Sequence, residues 1–214
     1  MTDAGSPQLS WTARIENSET TANTARADAD LEFLGLEIRG NSHNGSTQSL
    51  ILGQGINLTG RNEIRLSPHS SLTVNGGMIS TRRWVDVSPN ATLQGTGLIT
   101  GTVYNGGSLI ATGNEQSSLK INGDYYQSNA ATLKLQLVTE EDAAFSVQGT
   151  TQLAGRLAIT VRNGFEPKAN ETYAVLSAGK VRGTFANPDD KVTASDGSRF
   201  SIHYSDSAVT LTLK

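Results

Sequence analysis

The chain has no cysteine. That removes disulfides, thiolate nucleophiles and Cys-based zinc sites together. Proline is scarce, at five in 214 residues, and aromatic residues make up only 6%. No apolar run approaches the roughly 20 residues that a membrane-spanning helix needs. Charge of one sign is lacking too. The net charge is −3 and the charges are scattered, with no Lys/Arg run or basic stripe. The electrostatic footprint of a nucleic-acid partner is therefore missing, as is that of a polybasic membrane patch. Met1 to Trp11 hold neither a basic nor an apolar stretch of the kind that opens a secretory signal.

Apolar residues, at 36%, fall below the usual globular share, while Gly reaches 22. They are not diluted evenly, as they would be in a disordered chain. From Leu31 they gather into short alternating segments: Leu31 to Ile38, Leu50 to Leu58, Glu63 to Leu66, Ser71 to Val74, Trp84 to Val87, Leu98 to Val103, Ser108 to Ile110 and Ser118 to Ile121. Gly, Asn, Ser and Pro punctuate them, which is strand-and-turn chemistry. No helix-period segment separates them, and this excludes strand–helix–strand units. Beyond Gly123 the strands lengthen: Ala131 to Val138, Ala144 to Val147, Leu157 to Val161, Thr172 to Leu176, Phe200 to Tyr204 and Ala208 to Leu213. Asp189 to Ser198 reads as a polar loop.

Asn75-Gly76-Gly77 recurs as Asn105-Gly106-Gly107, with Asn90 midway and Asn122-Gly123 further on. The spacing predicts an imperfect repeat of about fifteen to seventeen residues. A unit that short cannot bury its own apolar face and must stack on its neighbours. Asn-Gly corners supply the positive φ that such a coil needs, and stacked Asn side chains can form a ladder. The competing reading is a meander of hairpins, for which Asn-Gly is also a strong signal.

Leu93-x-Gly95-x-Gly97-x-Ile99-x-Gly101-x-Val103, Asn105-Gly106-Gly107-x-Leu109 and Gly113-Asn114 come in that order. Leu119-x-Ile121-x-Gly123-Asp124-Tyr125-x-Gln127 follows, then Val147-x-Gly149 and Leu153-x-Gly155-x-Leu157. Gly164-Phe165, Thr172-Tyr173-x-Val175-Leu176, Gly183-Thr184-Phe185, Tyr204 and Val209-x-Leu211 close the series. In that order these elements resemble the autotransporter-associated β-strand repeat of bacterial surface proteins, over about residues 70–214. The resemblance implies a right-handed parallel β-helix, export and a surface role, with no catalytic residues. The membrane β-barrel or sorting tail of such proteins is not in this sequence. Together with the missing signal, this leads us to expect a passenger fragment or a chain numbered after a removed signal.

The expected fold is therefore all-β: a right-handed single-stranded parallel β-helix, or β-solenoid, with a less regular C-terminal β region. Residues 1–30 are expected as a polar lead-in or cap, and 31–214 as one solenoid domain. Short rungs are expected over 31–127, and longer strands with a C-terminal cap over 128–214.

Candidate chemistry is sparse. His43, His69 and His203 have no zinc-motif spacing. Gly53-x-Gly55 and Gly95-x-Gly97 lack the following helix that a dinucleotide site requires. Glu140-Glu141-Asp142, with Asp28, Asp30, Asp189 and Asp190, could serve calcium, but such runs are usually solvated loops. No Gly-x-Ser-x-Gly elbow occurs. Asn44, Asn57, Asn90 and Asn170 open glycosylation-type sequons, which are expected by chance in so Asn/Thr-rich a chain. The most site-like cluster is Arg82-Arg83-Trp84. Trp stacks on sugar rings, and Arg pairs with acidic sugars. In the bland reading the Trp only covers a strand edge. Of Tyr125 and Tyr126, one ring should face the core and the next should face out.

The resulting expectation is a non-catalytic bacterial cell-surface or secreted structural and adhesion module, a stalk or passenger fragment. No cofactor or metal is expected. Partners would be surface glycans or other proteins, or further copies of the chain through end-to-end or lateral association. The alternative is a carbohydrate-binding or polysaccharide lyase-like module.

Overall fold

The computed structural model describes residues 12–17, 20–112, 118–138 and 143–214. Trp11, the Gly113-Asn114 pair and the Glu140-Glu141-Asp142 run lie outside the described residues. Alternating apolar segments do form strands, and Gly and Asn turn the chain between them. The strands pair in parallel with their equivalents one coil away, giving a β-solenoid of about six turns.

Each coil visits three faces. β1 (Thr12–Glu16) lies on the third face. β2 (Asn23–Ala27), β3 (Leu31–Phe33) and β4 (Gly35–Arg39) then occupy the first, second and third. β5 (Gln48–Gln54), β6 (Leu58–Gly60) and β7 (Ile64–Leu66) stack on them in the same order. β8 (Ser70–Val87) and β9 (Thr92–Asn105) each run round all three faces. β10 (Ser108–Ala111), β11 (Leu119–Asn122) and β12 (Tyr125–Gln127) make the next coil. β13 (Thr132–Leu137) and β14 (Phe145–Leu153) follow, then β15 (Arg156–Val161) and β16 (Thr172–Gly183).

The interior is a set of aliphatic columns. On the first face Leu50, Leu72, Leu93, Leu109, Leu133 and Leu157 are register partners in turn, and all are buried. Leu58, Ile79, Ile99, Ile121 and Val147 do the same on the second face. Leu36, Ile64, Val85 and Val103 do so on the third, and Tyr125 continues that column. Burying one such side chain contributes about 1.5–3 kcal/mol, so each coil is held by its neighbours rather than by itself.

Two glycines show why the first corner is so tight. Gly95 sits at φ 122°, and a Cβ there would collide with the Val74 carbonyl. A Cβ on Gly77 would strike the Ile56 carbonyl of the previous coil. These positions exclude a side chain because adjacent backbones touch.

The repeat length differs from the expected fifteen to seventeen residues. Asn23 pairs with Gln48, Gln48 with Ser70, Thr92 with Ser108, and Ser108 with Thr132. Those steps are 25, 22, 16 and 24 residues, so only one coil has the expected length. The two Asn-Gly-Gly triplets are not equivalent either. Asn75 ends the first face, opposite Gln54 and Thr96, while Asn105 ends the third, opposite Val87 and Gln127. Their Asn side chains do not ladder on one another. Asn75 Nδ2 donates to the Leu52 carbonyl at 2.7 Å, and Asn105 Nδ2 donates to the Thr132 carbonyl at 3.2 Å. Since both triplets join parallel strands of successive faces, neither is a hairpin.

Pairing also begins earlier than Leu31. β1 and β2 stack in register on β4 and β5, so the polar segment before Asp30 already carries coil strands. Their alternating apolar residues, Ala13, Ile15, Ala25 and Ala27, pack in or against the core. Leu50 to Leu58 is not one strand. It breaks after Gln54, where Gly55 turns the corner at φ 71°.

At the C-terminus the parallel pattern stops. β17 (Lys191–Thr193), β18 (Arg199–Tyr204) and β19 (Ala208–Leu213) are antiparallel, and β19 returns against β16. The polar loop expected over Asp189 to Ser198 thus contains a short strand, with Val192 and Ala194 buried. This meander brings Phe200, Ile202, Val209 and Leu211 over the end of the core and closes it.

Candidate functional site

The third face carries most of the outward chemistry. One outward column, followed through the register, reads Arg14, Glu37, Arg65, Asp86, Tyr104, Tyr126, Gln152 and Arg182. Its first half is a charge ladder. Arg14 and Arg39 both reach Glu37, at 3.0 and 2.7 Å, and Arg65 reaches Asp86 at 3.4 Å. Ser67 Oγ–H also donates to Glu37, at 2.7 Å. Partial burial pushes the Glu37 carboxyl up, but the Ser67 hydrogen bond and the two guanidinium groups outweigh it, so its pKa lies below the ordinary value. Glu37 borders a shallow cleft of about 140 Å³ between Thr12, Gly35, Asn62, Glu63 and Arg65. With both oxygens engaged, this carboxylate is a clamp between coils.

The second half of the column is aromatic. Tyr104 is 43% exposed, the most open large apolar side chain among the described residues. Its ring stacks on Tyr126 of the next coil, with centroids 5.2 Å apart and planes 16° apart. On the other side it meets Trp84 of the preceding coil edge-on, at 6.3 Å and 81°. Such pairs contribute about 0.5–1.5 kcal/mol each beyond the area they cover. Tyr125 is fully buried and Tyr126 half-buried, so of these two neighbours one ring faces the core and the other faces out.

The structure brings two of the three sequence-selected residues together. Arg83 Cζ lies 5.4 Å from the centroid of the Trp84 ring, within cation–π range. Arg82 and Arg83 are both exposed at the corner between the second and third faces. Neither forms an ion pair among the described residues. Trp84 is half-buried and forms one end of an aromatic row, which is more than the cover of a single strand edge.

Tyr104 was not singled out from the sequence, nor were Lys180 and Arg182, which end the same face two coils beyond Tyr126. Only the register aligns them, and the unequal coil lengths hide it. The other candidates scatter. His43 and His203 are exposed, and His69 occupies a corner at φ 58°. Asp28 pairs with Arg26 at 3.1 Å, Asp30 accepts the Asn57 N–H at 2.8 Å, and Asp189 meets Lys191 at 3.6 Å. Among the described residues no three His, Asp or Glu side chains converge in a way that could hold a metal ion. No helix among them is long and apolar enough to cross a membrane.

Inside the core one polar cluster interrupts the aliphatic columns. Asn105 Nδ2 donates to the Tyr125 hydroxyl at 3.0 Å, and that hydroxyl donates to Gln127 Oε1 at 2.8 Å. Gln127 Nε2 donates onward to the Arg156 carbonyl at 3.2 Å. Burial pushes the Tyr125 phenol far above its ordinary value, and the Asn105 hydrogen bond offsets this only in part. Next in register, Thr151 is wholly buried and its Oγ1 has no hydrogen-bond partner.

No protein-family model matches the chain, and no curated protein matches it.

Proposed function

We propose that the chain is a non-catalytic structural and adhesion module, exported to the bacterial surface, in which a stiff solenoid presents the aromatic strip of its third face to external partners. The observation that carries this reading is the Trp84–Tyr104–Tyr126 row. It spans three consecutive coils and leaves a large apolar side chain in water. An exposed ring between half-buried aromatic neighbours, flanked by exposed guanidinium groups, is a common composition of contact surfaces. The stacked coils supply the rigid support, since each strand is fixed by its neighbours. The resemblance to the autotransporter-associated β-strand repeat supports export and a surface location.

The test has two arms. Beads coated with the folded chain are expected to adhere to surfaces bearing extracellular glycans or matrix proteins, and Tyr104→Ala is expected to weaken that adhesion with the far-ultraviolet spectrum unchanged. Adhesion unaffected by changes along the row would remove the strip from the proposal. The soluble chain is expected to release no sugar products from a polysaccharide panel, with or without Ca²⁺. Robust turnover would replace the reading with a lyase-like enzyme.

A further inference from the structure

The aromatic strip has a charged frame that the proposed adhesive role does not by itself explain. At one end Arg82 and Arg83 stand exposed beside Trp84. At the other, Tyr126 is the register partner of Gln152, and Gln152 of Arg182, with Lys180 two residues before it on the same face. Lys180 and Arg182 are exposed, and neither forms an ion pair among the described residues. Cations with no ion-pair partner among the described residues thus bracket the aromatic row along the solenoid axis. With coils roughly 4.8 Å apart, the four steps from the Trp84 coil to the Arg182 coil span roughly 19 Å.

Asp86 pairs with Arg65 at 3.4 Å, whereas Asp124 Oδ1 accepts the Thr150 backbone N–H at 2.7 Å and keeps its charge. Asp206 lies beside the Lys180–Arg182 end, its carbonyl accepting the Val181 N–H at 2.7 Å. Four exposed cations against Asp124 and Asp206 still leave an excess of positive charge on a chain whose overall charge is −3. This localised cationic frame differs from the general acidity of the surface.

We infer that the third face binds a linear acidic polysaccharide laid along the solenoid axis. Its carboxylates would meet Arg82 and Arg83 at one end and Lys180 and Arg182 at the other, with its sugar rings against the aromatic row. The inference rests on the reading of that row as a contact surface. Guanidinium groups suit carboxylates because they can offer two parallel N–H donors. Tyr104 and Tyr126 stack on one another at 5.2 Å, so the row meets a polymer along its outer rim rather than through an open slot between rings. An axial ligand also suits an extended polymer better than a compact one, because the cations lie four coils apart.

The experiment measures binding of the full chain to polygalacturonate, to a neutral polysaccharide of similar length, and to a single-stranded oligonucleotide, at low and high salt. Polygalacturonate is expected to bind more than tenfold tighter than the neutral polymer, and to weaken as salt rises. The R82Q/R83Q and K180Q/R182Q pairs should each lower that affinity about tenfold or more. Trp84→Ala should weaken both polymers. Equal binding of acidic and neutral polymers, unchanged in the Gln variants, would overturn the inference and leave the adhesive row intact. Preferential binding of the oligonucleotide would overturn it in favour of a nucleic-acid surface. If no polysaccharide binds but strip-dependent bead adhesion persists, the acidic-glycan inference alone fails. If adhesion is also absent, the functional proposal fails with it. All four substituted cations are exposed, so an unchanged far-ultraviolet spectrum and melting temperature will show that a loss is not misfolding.

Discussion

Removing the hydroxyl of Tyr125 and removing that of Thr151 should have opposite effects on stability, although the two residues are register partners and both are fully buried. Tyr125→Phe deletes one acceptor and one donor. Asn105 Nδ2 loses one of its partners and Gln127 Oε1 loses its donor, both inside the core. Asn105 Nδ2 keeps its bond to the Thr132 carbonyl, so Gln127 Oε1 is the group left stranded, at about 1–3 kcal/mol, and the substitution removes one hydroxyl desolvation term in return. The expected loss is about 1–2 kcal/mol. In a domain of this size that lowers the melting temperature by roughly 2–8 °C. Thr151→Val keeps the shape and deletes an oxygen that has no partner. It should gain about 1 kcal/mol, since a buried hydroxyl without a hydrogen bond only carries its desolvation cost. Chemical denaturation of the two variants and the parent, followed by circular dichroism, measures both. A Tyr125→Phe protein within 0.5 kcal/mol of the parent would refute the network, as would a Thr151→Val protein destabilised by more than about 1 kcal/mol.

Leu93→Ala removes a central rung of the first-face leucine column, with leucines directly before and after it, and should cost about 2–5 kcal/mol in the same denaturation assay. Gly77→Ala should block folding or cost several kcal/mol, more than its exposed corner neighbour Gly76→Ala, because only Gly77 touches the previous coil's backbone; thermal melts of both variants check the order. Glu37 has a lowered pKa in the fold, so its contribution is present above the unfolded carboxylate value and lost as pH falls. Glu37→Gln should therefore flatten the loss of stability between about pH 5 and 3. Tyr125 has a raised pKa, so its contribution is complete below the ordinary phenol value and is lost as pH rises past it, because the unfolded chain ionises first. Ultraviolet titration should find the Tyr125 phenol neutral past about pH 10 until the chain unfolds, and Tyr125→Phe should remove that late-titrating group.

The fold was legible in the sequence for a reason partly different from the spacing that suggested it. Alternating apolar residues such as Leu133, Leu135 and Leu137 do mark an inward face, and the absence of helix-period segments does force strands to cover strands. The Asn-Gly-Gly spacing, however, compared two different corners, because Asn75 closes the first face and Asn105 the third. Some corners turn through positive φ, as at Gly55, Gly76 and Asn90, and others without it, as at Asn105-Gly106-Gly107, so Asn and Gly mark turns while their spacing does not fix the coil length. β1 and β2 stayed hidden because Ala13, Ala25 and Ala27 are too small to signal burial, yet they pack at the thin first coil. The cap stayed partly hidden because Val192 is flanked by polar residues in a three-residue strand.

The candidate site was half legible, and the divide follows from how solenoids build surfaces. Arg82, Arg83 and Trp84 are adjacent in the chain, so composition alone can single them out. Tyr104, Tyr126, Lys180 and Arg182 join them only through register, across steps that the sequence spaces unevenly. A surface column on a solenoid samples one residue per coil, and a single insertion at a corner shifts every later member. The coils from Thr92 to Ser108 and from Ser108 to Thr132 differ by eight residues, yet both keep Leu inward and hydroxyls outward on the first face. The first-face pairing of Ser108 to Ala111 with both neighbouring coils is kept across that difference in length. The core therefore constrains which residues face in at each strand but leaves coil length free. An outward row such as Trp84–Tyr104–Tyr126, which the core does not require, stays aligned only because the strand register carries it.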